Sequence, residues 1–363
     1  MTNFSCLLFT ALAVVLTVLG LFPATVEETA AFSSKATIVQ DLTGRLVSFD
    51  QIPRRVVIFP ILQPTYATID ETTQNIAAMP NFMRQQADAA LLSHVFPRMP
   101  LIPTTGRTFG PDVEWILRYQ PDAVIVEKSA SEMLDRIGFR GVVKINYALS
   151  NYRIARMDMW RLIGAITGKG GRAQLLLDRF HRKMEALLIH LSEIKVGPAR
   201  LIVPSVMGNG RWAVATNYYL NETFETSGGV NVARGLPSYA NLDFEQFYRL
   251  NPDVIIIGYY KDGPIPQMLY DDPLWQPVRA VHDRHVYLMP MNFLDNIAVD
   301  EPLLLTWLAE IFHPDSMPRM TRAAYREAYA QVYHYDLTDD EIDHALFFKE
   351  NSASAGYERF KAQ

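Results

Sequence analysis

Arginine and aromatic side chains recur in the segments that follow the apolar, strand-like runs of this chain. The candidates are Tyr66, Arg107, Arg211, Trp212, Tyr218, Tyr260 and Phe293. In open α/β sheets, ligands bind beyond the carboxyl ends of the strands, where these segments are predicted to lie. Arginine binds anionic oxygens through a planar fork of donors, and aromatic rings cover organic surfaces. The pattern indicates a site for an anionic, partly apolar small molecule; packing or loop solvation is the alternative role of each residue.

A second feature is a phrase that occurs twice, 131 residues apart. Residues 112–126 return as residues 243–257, with Asp, Glu, Arg and the pair Pro-Asp at equivalent positions. Each copy predicts a short helix, a turn and a fully apolar strand of the kind buried in a parallel sheet. Solenoid units repeat every ~20–50 residues, so this period excludes them. The duplication predicts two similar α/β lobes, each presenting one glutamate, Glu114 or Glu245. The alternative role of these glutamates is an exposed ion pair with the arginine four residues later.

Other reactive side chains do not form a catalytic or metal-binding pattern. The eight histidines are scattered, and the close pair His282 and His285 lies in a predicted turn. Residues 168–171 lack the spacing and the preceding strand of a phosphate-binding loop. No Gly-x-Ser-x-Gly motif is present, and the adjacent acidic pairs are predicted to lie in turns and at helix starts. The sequence therefore predicts no enzyme activity, no catalytic residues, no metal site and no cofactor.

The first 31 residues differ in character from the rest. Residues 7–22 form an apolar run, shorter than the ~20 residues of a membrane-spanning helix and close to the apolar region of a secretion signal. Cleavage after Ala31 fits best, although the segment before the run has no Lys or Arg; an uncleaved anchor is the alternative. The only cysteine, Cys6, lies in this segment, so the mature chain would have no thiol and no disulfide.

The rest of the chain alternates strands and helices, apart from two helical segments. The predicted division is a first lobe at residues 36–151, an interlobe helical segment at 152–196, a second lobe at 197–314 and a helical tail at 315–363. Thr338 and Glu341 predict a capping box at the start of a helix in the tail. Strands are predicted at residues 36–39, 45–49, 55–59, 123–126, 142–145, 200–203, 212–214, 254–257 and 286–289, and helices at 152–167 and 172–194. The predicted fold class is α/β: two Rossmann-like lobes joined by one long interlobe helix, with a helical C-terminal tail.

Composition and net charge limit the classes of partner that the sequence predicts. The 363 residues suffice for two domains at ~150 each. Hydrophobic residues make up 49% of the chain and charged residues 20%, as in globular proteins. With a net charge of −5, nothing in the composition points to a nucleic-acid partner or to a polybasic contact with a membrane. No nucleic-acid partner is predicted.

Several strings, taken in order, resemble the periplasmic substrate-binding proteins of ABC importers for iron-siderophores, haem and cobalamin. They are residues 41–47 and 53–57, the two repeated phrases, residues 227–233 and 275–281, and the ending at residues 333–341. The resemblance runs from about Thr37 to Phe360. It implies two lobes, a rigid helix between them, and a ligand held without catalysis in the cleft between the lobes.

The resemblance also implies a partner and a location. In that family, one glutamate on the outer face of each lobe binds arginines of the membrane permease, and Glu114 and Glu245 match those positions. The implied function is delivery of a metal chelate, with a ferric siderophore as first choice, to the permease dimer of an ABC importer in the inner membrane. Haem, cobalamin or an oxyanion such as molybdate are alternative cargoes; a chelatase-like enzyme and a tethered sensor are alternative functions. The implied state is a periplasmic monomer.

Overall fold

The fold combines parallel sheets with flanking helices over the part of the chain that can be described. The computed structural model describes residues 36–59, 61–86, 91–105, 112–146, 152–195, 197–202, 204–206, 212–214, 216, 218–237, 240–258, 265–290 and 299–362. None of the helices in these ranges combines the length and the apolar character needed to cross a lipid bilayer.

The first lobe contains a hairpin and a parallel sheet. Its elements are β1 Thr37–Gln40, β2 Leu46–Phe49, β3 Val56–Ile58, α1 Gln63–Asp70, β4 Ile76–Ala78, α2 Asn81–Gln86, α3 Leu92–Val95, α4 Val113–Arg118, β5 Ala123–Glu127, α5 Glu132–Arg136 and β6 Val142–Ile145. Strands β1 and β2 pair antiparallel, which confirms the predicted hairpin. The remaining strands form a parallel sheet in the order β4-β3-β5-β6. The buried Asp41 carboxylate in the hairpin turn also accepts a hydrogen bond from the backbone N–H of Lys144 in β6, at 3.2 Å, so the hairpin is tied to the sheet.

Two helices follow β6, α6 Tyr152–Ile166 and α7 Gly170–Ser192. The predicted break between them is confirmed: Gly168 has a φ of +69°, the left-handed conformation that favours glycine at the end of a helix. The helices pack closely, because a Cβ on Gly164 of α6 would lie 2.7 Å from the Cβ of Ala173 in α7. The 23-residue helix α7 then leads into the second lobe.

The second lobe repeats the strand order of the first. Its elements are β7 Ala199–Ile202, β8 Pro204–Val206, β9 Trp212–Val214, α8 Tyr218–Thr226, β10 Gly229–Asn231, β11 Ala240–Leu242, α9 Phe244–Leu250, β12 Val254–Ile257, α10 Pro266–Asp271, α11 Arg279–His282, β13 Val286–Leu288 and α12 Asp300–Phe312. The parallel sheet has the order β10-β7-β12-β13, and β11-β9-β8 form a small antiparallel sheet. Counted along the chain, the parallel strands of each lobe lie in the order second, first, third, fourth.

The strands place their two faces in different apolar clusters. In β3, β5 and β12, alternate side chains enter one cluster that contains residues of both lobes and of α6, α7 and α12. We call this cluster the shared core. The other side chains of the same strands enter two smaller clusters, one in each lobe. Each fully buried Val or Ile contributes about 1.5–3 kcal/mol, so both faces of these three strands are strongly stabilised. The two lobes are therefore joined through a common core as well as through the chain.

The tail, with α13 Thr321–Tyr333 and α14 Asp339–Ala345, contacts both lobes. On the first lobe, His94 Nδ1 donates a hydrogen bond to Glu341 Oε1 at 2.6 Å. On the second, Asn351 binds both backbone groups of Leu288 in β13, at 2.6 and 2.9 Å. Glu327 of α13 pairs with Lys183 of α7 at 2.5 Å. The tail is thus a second connection between the lobes, beside α7.

The predicted strands and helices agree with the structure except at short elements. Strands β6 and β12 have the predicted limits, and the capping box of Thr338 and Glu341 is present. Strands β4, β8, β10 and β11 were not predicted. Each has three residues, too few for a clear strand pattern in the sequence, and such strands form only where a neighbouring strand supplies hydrogen bonds and packing.

Acid should weaken the attachment of the tail through Glu341. Burial opposes ionisation of this carboxyl, but hydrogen bonds from Tyr335, Thr338 and His94 outweigh burial and lower the pKa of Glu341 to about 2. The unfolded pKa is near 4.5, so the carboxylate stabilises the fold above pH 4.5 and loses this effect as pH falls towards 2. Glu341→Gln should lower the melting temperature at pH 7 by a few degrees, and the difference from wild type should vanish near pH 2. Melting followed by circular dichroism across this range tests it. Glu185→Gln, at an exposed position of α7, is the control; a Glu341→Gln deficit that persists at pH 2 contradicts the assignment.

Candidate functional site

The repeated phrase forms the same structure in both lobes. Helix α4 begins after Asp112, whose carboxylate accepts a hydrogen bond from Trp115 N at 3.2 Å. Helix α9 begins after Asp243, whose carboxylate accepts from Gln246 N at 2.8 Å in a full capping box. These bonds satisfy backbone N–H groups that a helix start leaves free. The helices then bury Ile116 and Phe247, at equivalent positions, in the smaller apolar cluster of their own lobe.

The end of each helix is fastened to the first parallel strand of its lobe. In the first lobe, Arg55 Nε donates to the carbonyl oxygens of Tyr119 and Gln120, each at 3.1 Å. In the second, Arg200 Nη2 donates to the carbonyl of Leu250 at 2.9 Å. A guanidinium at this end satisfies free carbonyl groups and complements the helix dipole.

The Pro-Asp turn is fastened in the same way. The backbone N–H of Asp122 donates to Arg55 O at 2.8 Å, and that of Asp253 donates to Arg200 O at 2.7 Å. The residues before the two prolines, Gln120 and Asn251, have φ values of +44° and +40°. In both lobes the chain therefore leaves the helix through a residue with positive φ, which is the residue that ends the helix or the one after it. It then continues directly into a buried strand. The duplication extends from sequence to individual hydrogen bonds.

Both glutamates project from these helices into solvent. The Glu245 side chain is 82% exposed and lies 3.4 Å from Arg249, the i,i+4 pair weighed above. Glu114 is also exposed, but the structure gives it no ion pair within the described ranges, and the Arg118 guanidinium lies 5.1 Å from the Trp115 ring centre instead. Exposed ion pairs contribute at most ~1 kcal/mol, so stability does not require either glutamate. Both remain available to a partner.

The predicted ligand residues are only partly covered by the structure. Tyr66 lies in α1, is fully buried, and its hydroxyl finds no hydrogen-bond partner among the described residues. Burial raises its pKa, so the phenol stays neutral. Trp212 is the first residue of β9, paired in register with Val206 and Leu242, and Tyr218 is the first residue of α8. Arg107, Arg211, Tyr260 and Phe293 lie outside the described residues. The contact of all seven with a ligand remains a prediction.

A charged cluster at the junction of the lobes was not predicted. Arg153 of α6 donates to Glu301 of α12 at 3.0 Å and pairs with Glu222 of α8 at 2.9 Å. The Glu301 side chain is 1% exposed, and a second arginine, Arg156, lies 3.6 Å from it. Buried charges require such pairing because removing them from water is costly. One sequence signal was available: Glu301 comes directly before the long apolar run of α12.

The described residues offer charge and shape but no grouping typical of a metal centre. Over these ranges, no three His, Cys, Asp or Glu side chains are close enough to hold a metal ion. The His282 imidazole is 76% exposed and lies 2.7 Å from the Asp283 carboxylate. The cluster of Arg153, Glu222 and Glu301 is a network of ion pairs between helices. The exposed carboxylates among the described residues are chemically suited to bind a cationic partner.

Comparison with known proteins gives the same fold. The iron-uptake system-binding protein of Bacillus subtilis is 22% identical over 204 residues, which is 53% of this chain and 62% of that protein. The molybdate-binding protein MolA of Haemophilus influenzae is 24% identical over 340 residues, 84% of this chain and 95% of that protein. The crystal structure of a periplasmic solute binding protein from Veillonella parvula superposes with a TM-score of 0.75 at 23% identity, covering 87% of this chain and 98% of that one.

A family model described as periplasmic binding protein matches residues 66–292. The match begins within α1 and ends beyond β13, so it takes in β4, β5 and β6 of the first lobe, the parallel sheet of the second lobe and the helices between them. With more than half of its length inside that match, the chain belongs to the periplasmic binding protein family.

Proposed function

We propose that this protein is the solute-binding component of an ABC importer and delivers a metal chelate to the permease without catalysing a reaction. The observation that carries the proposal is the duplicated docking unit: a capped helix, an exposed glutamate, and an arginine that fastens the helix end to the sheet. Permease dimers of importers have two equivalent halves, and a two-fold partner needs two equivalent contacts. Glu114 and Glu245 supply one carboxylate on each lobe.

Rigid mounting of the glutamates supports a docking role. Helices α4 and α9 each have a capped start, a fastened end and one fully buried apolar side chain. The backbone that carries each exposed carboxylate is held in place, so little conformational entropy of the backbone is lost when a cationic partner binds. Leu117 and Tyr248, at equivalent positions, are 41% and 46% exposed. We propose that they form an apolar border beside each charge.

The cargo we propose is an anionic metal chelate, with a ferric siderophore as first choice. The support is the set of arginine and aromatic residues at the predicted carboxyl ends of the strands, of which Arg107, Arg211 and Trp212 are the strongest candidates. The names of two relatives point to iron uptake and to molybdate, so a small oxyanion is the main alternative. Haem and cobalamin remain further candidates. Those relatives are named as binding proteins, which supports binding without catalysis.

We propose that the protein acts in the periplasm as a monomer. The family is periplasmic by description, and the apolar run of residues 7–22 supports export. Cleavage after Ala31 would release the protein, whereas an uncleaved run would tether it. Mass spectrometry of the intact protein from its own cell envelope distinguishes these outcomes.

Removing the two carboxylates should weaken docking alone. Glu114→Gln and Glu245→Gln should each reduce binding to the permease by about 1–3 kcal/mol, more strongly at low salt, because each removes one contact between opposite charges. Ligand affinity should not change. Binding to permease reconstituted in nanodiscs, with ligand titration in parallel, measures both quantities.

Glu132→Gln is the matched control for docking. Glu132 is an exposed glutamate on a short first-lobe helix and pairs with Arg136, four residues later. Normal docking by Glu114→Gln and Glu245→Gln, or an equal loss in Glu132→Gln, would show that the repeated glutamates are not docking residues.

Arginine substitutions should reveal the charge of the cargo. Arg107→Gln and Arg211→Gln should each lower affinity for an anionic chelate by roughly 1.5–3 kcal/mol, ten- to a hundredfold, because a charge-assisted contact is lost. Trp212→Ala should lower affinity through lost apolar cover instead, with little change in salt dependence. Tryptophan quenching with a ferric catecholate siderophore, haemin, cyanocobalamin and sodium molybdate measures each case. Unchanged affinity in both arginine variants would exclude an anionic cargo held by these residues and favour cobalamin.

Closure of the lobes on binding should be small. The lobes are joined by the shared core together with α7 and the tail, whose side chains are part of that core, and packed cores do not deform continuously. Small-angle scattering of the protein alone, and saturated with whichever of the four compounds binds, should give nearly the same radius of gyration. A decrease of several ångströms would mean that these connections yield and that the lobes hinge widely.

A further inference from the structure

A basic pocket in the C-terminal part of the chain has no role in the function proposed above. It has a volume of about 160 Å³ and lies among α12, the start of α13 and the residues that follow the last short 3₁₀ turn, Tyr357–Phe360. Its charged lining is Glu310, Arg319, Arg322, Arg326, Arg359 and Lys361. Five cations around one small pocket are unusual in a chain whose net charge is −5.

Two of the lining groups are fully occupied with each other and with backbone. The buried Glu310 carboxylate accepts three hydrogen bonds at Oε1, from Met320 N, Thr321 N and Thr321 Oγ1, at 2.7, 2.7 and 2.8 Å. Its Oε2 accepts from Arg359 Nε at 3.0 Å. Arg359 donates its remaining nitrogens to the carbonyls of Pro314 and Met317. The ion pair of Glu310 and Arg359 is neutral overall, and neither side chain is free to bind a ligand.

Arg322 is buried and incompletely paired. Its side chain is only 10% exposed. The Nη atoms bind the carboxylates of Asp339 and Asp343 and the carbonyls of Phe360 and Asp339. Its Nε is buried and has no hydrogen-bond partner among the described residues. This N–H does not reach the surface of the pocket, so Arg322 contributes positive charge to the pocket wall and no free donor.

The remaining cations leave the pocket positively charged. Arg326 binds Asp339 through Nη2, while Arg319 and Lys361 are exposed, with no ion pair over the described ranges. Against five cations stand the carboxylates of Glu310, Asp339 and Asp343, which leaves two positive charges. The charge is therefore suited to a dianion.

The geometry points to a binding site for a phosphate group in this pocket, and we propose it as a second site, separate from the cleft. A volume near 160 Å³ equals about five water molecules at ~30 Å³ each, and it is smaller than the ~300–1,000 Å³ of pockets for larger ligands. Arginine forks match the oxygens of phosphate, and several arginines together favour a doubly charged group. The phosphate could belong to inorganic phosphate or to the headgroup of an anionic lipid.

Inorganic phosphate is the first probe. Calorimetric titration at constant ionic strength, with chloride as the replaced anion, should show saturable binding to one site. Arg319→Gln combined with Lys361→Gln removes two exposed charges without breaking a hydrogen bond described here, and should weaken binding at least about tenfold. Arg182→Gln combined with Lys195→Gln removes two exposed charges elsewhere and should leave binding within about twofold. No saturable binding, or equal losses in both double variants, would overturn the site.

Arg322→Lys tests whether phosphate binding depends on the shape of the Arg322 side chain as well as on its charge. Lysine keeps the charge but lacks the planar guanidinium that Asp339 and Asp343 hold in place, so phosphate affinity should fall about tenfold in a variant that still folds. If Arg322→Lys does not fold, the exposed double variant decides alone. Full phosphate affinity in a folded Arg322→Lys protein contradicts a role for the guanidinium of Arg322.

Vesicles distinguish the two sources of phosphate. Co-sedimentation with vesicles that contain phosphatidic acid, whose headgroup is a phosphate monoester able to carry two negative charges, identifies a lipid headgroup if it is reduced by the Arg319/Lys361 double variant and by excess inorganic phosphate but not by the Arg182/Lys195 control. Phosphate binding without vesicle binding identifies the free anion. Absence of both refutes the proposal.

Discussion

The structure depends on strands whose two faces are both buried. In β3, β5 and β12, one set of alternate side chains lies in the shared core and the other lies beneath α4 or α9 and its neighbours. A shift of one residue in any of these strands would exchange the two sets. Because every position except Glu127 at the end of β5 is apolar, the exchange costs little hydrophobicity, so register must be specified elsewhere. The backbone bonds of Asp122 and Asp253 to the first strand of each lobe supply that register.

These fixed registers also determine where the exposed glutamates lie. A helix that ends at a left-handed residue and turns directly into a buried strand has little freedom to rotate. The arginines at the start of β3 and within β7 bind the last carbonyls of these helices, which further restrains them. Placement of Glu114 and Glu245 is thus a consequence of core packing several residues away. The same strand order in both lobes makes the two placements equivalent.

Charge is used differently at the junction of the lobes. The cluster of Arg153, Glu222 and Glu301 lies between α6, which follows the first lobe, and two helices of the second lobe, with Glu301 almost fully buried. Such pairs repay their desolvation only when the geometry is good, so their net contribution to stability is small, while removal of one member leaves a costly unpaired charge. The cluster therefore favours one arrangement of the helices over others. The tail acts similarly, since its carboxylates bind basic groups on α7 and on the first lobe.

The sequence by itself determined the elements with strong local patterns. Apolar residues predicted β6 and β12 to the residue, and the repeated phrase predicted two equivalent helices with one glutamate each. These features could be predicted because hydrophobic periodicity, capping residues and turn residues act over a few neighbours. Only the tertiary structure decided the strands β4, β8, β10 and β11, the full burial of Tyr66, and the partnership of Arg153 with Glu301, 148 residues away in the chain. The tertiary structure also decided which arginine side chains donate hydrogen bonds to backbone carbonyl groups, as Arg55 and Arg200 do. Such contacts depend on the path of the whole chain, because residues distant in sequence pair only when packing brings them together.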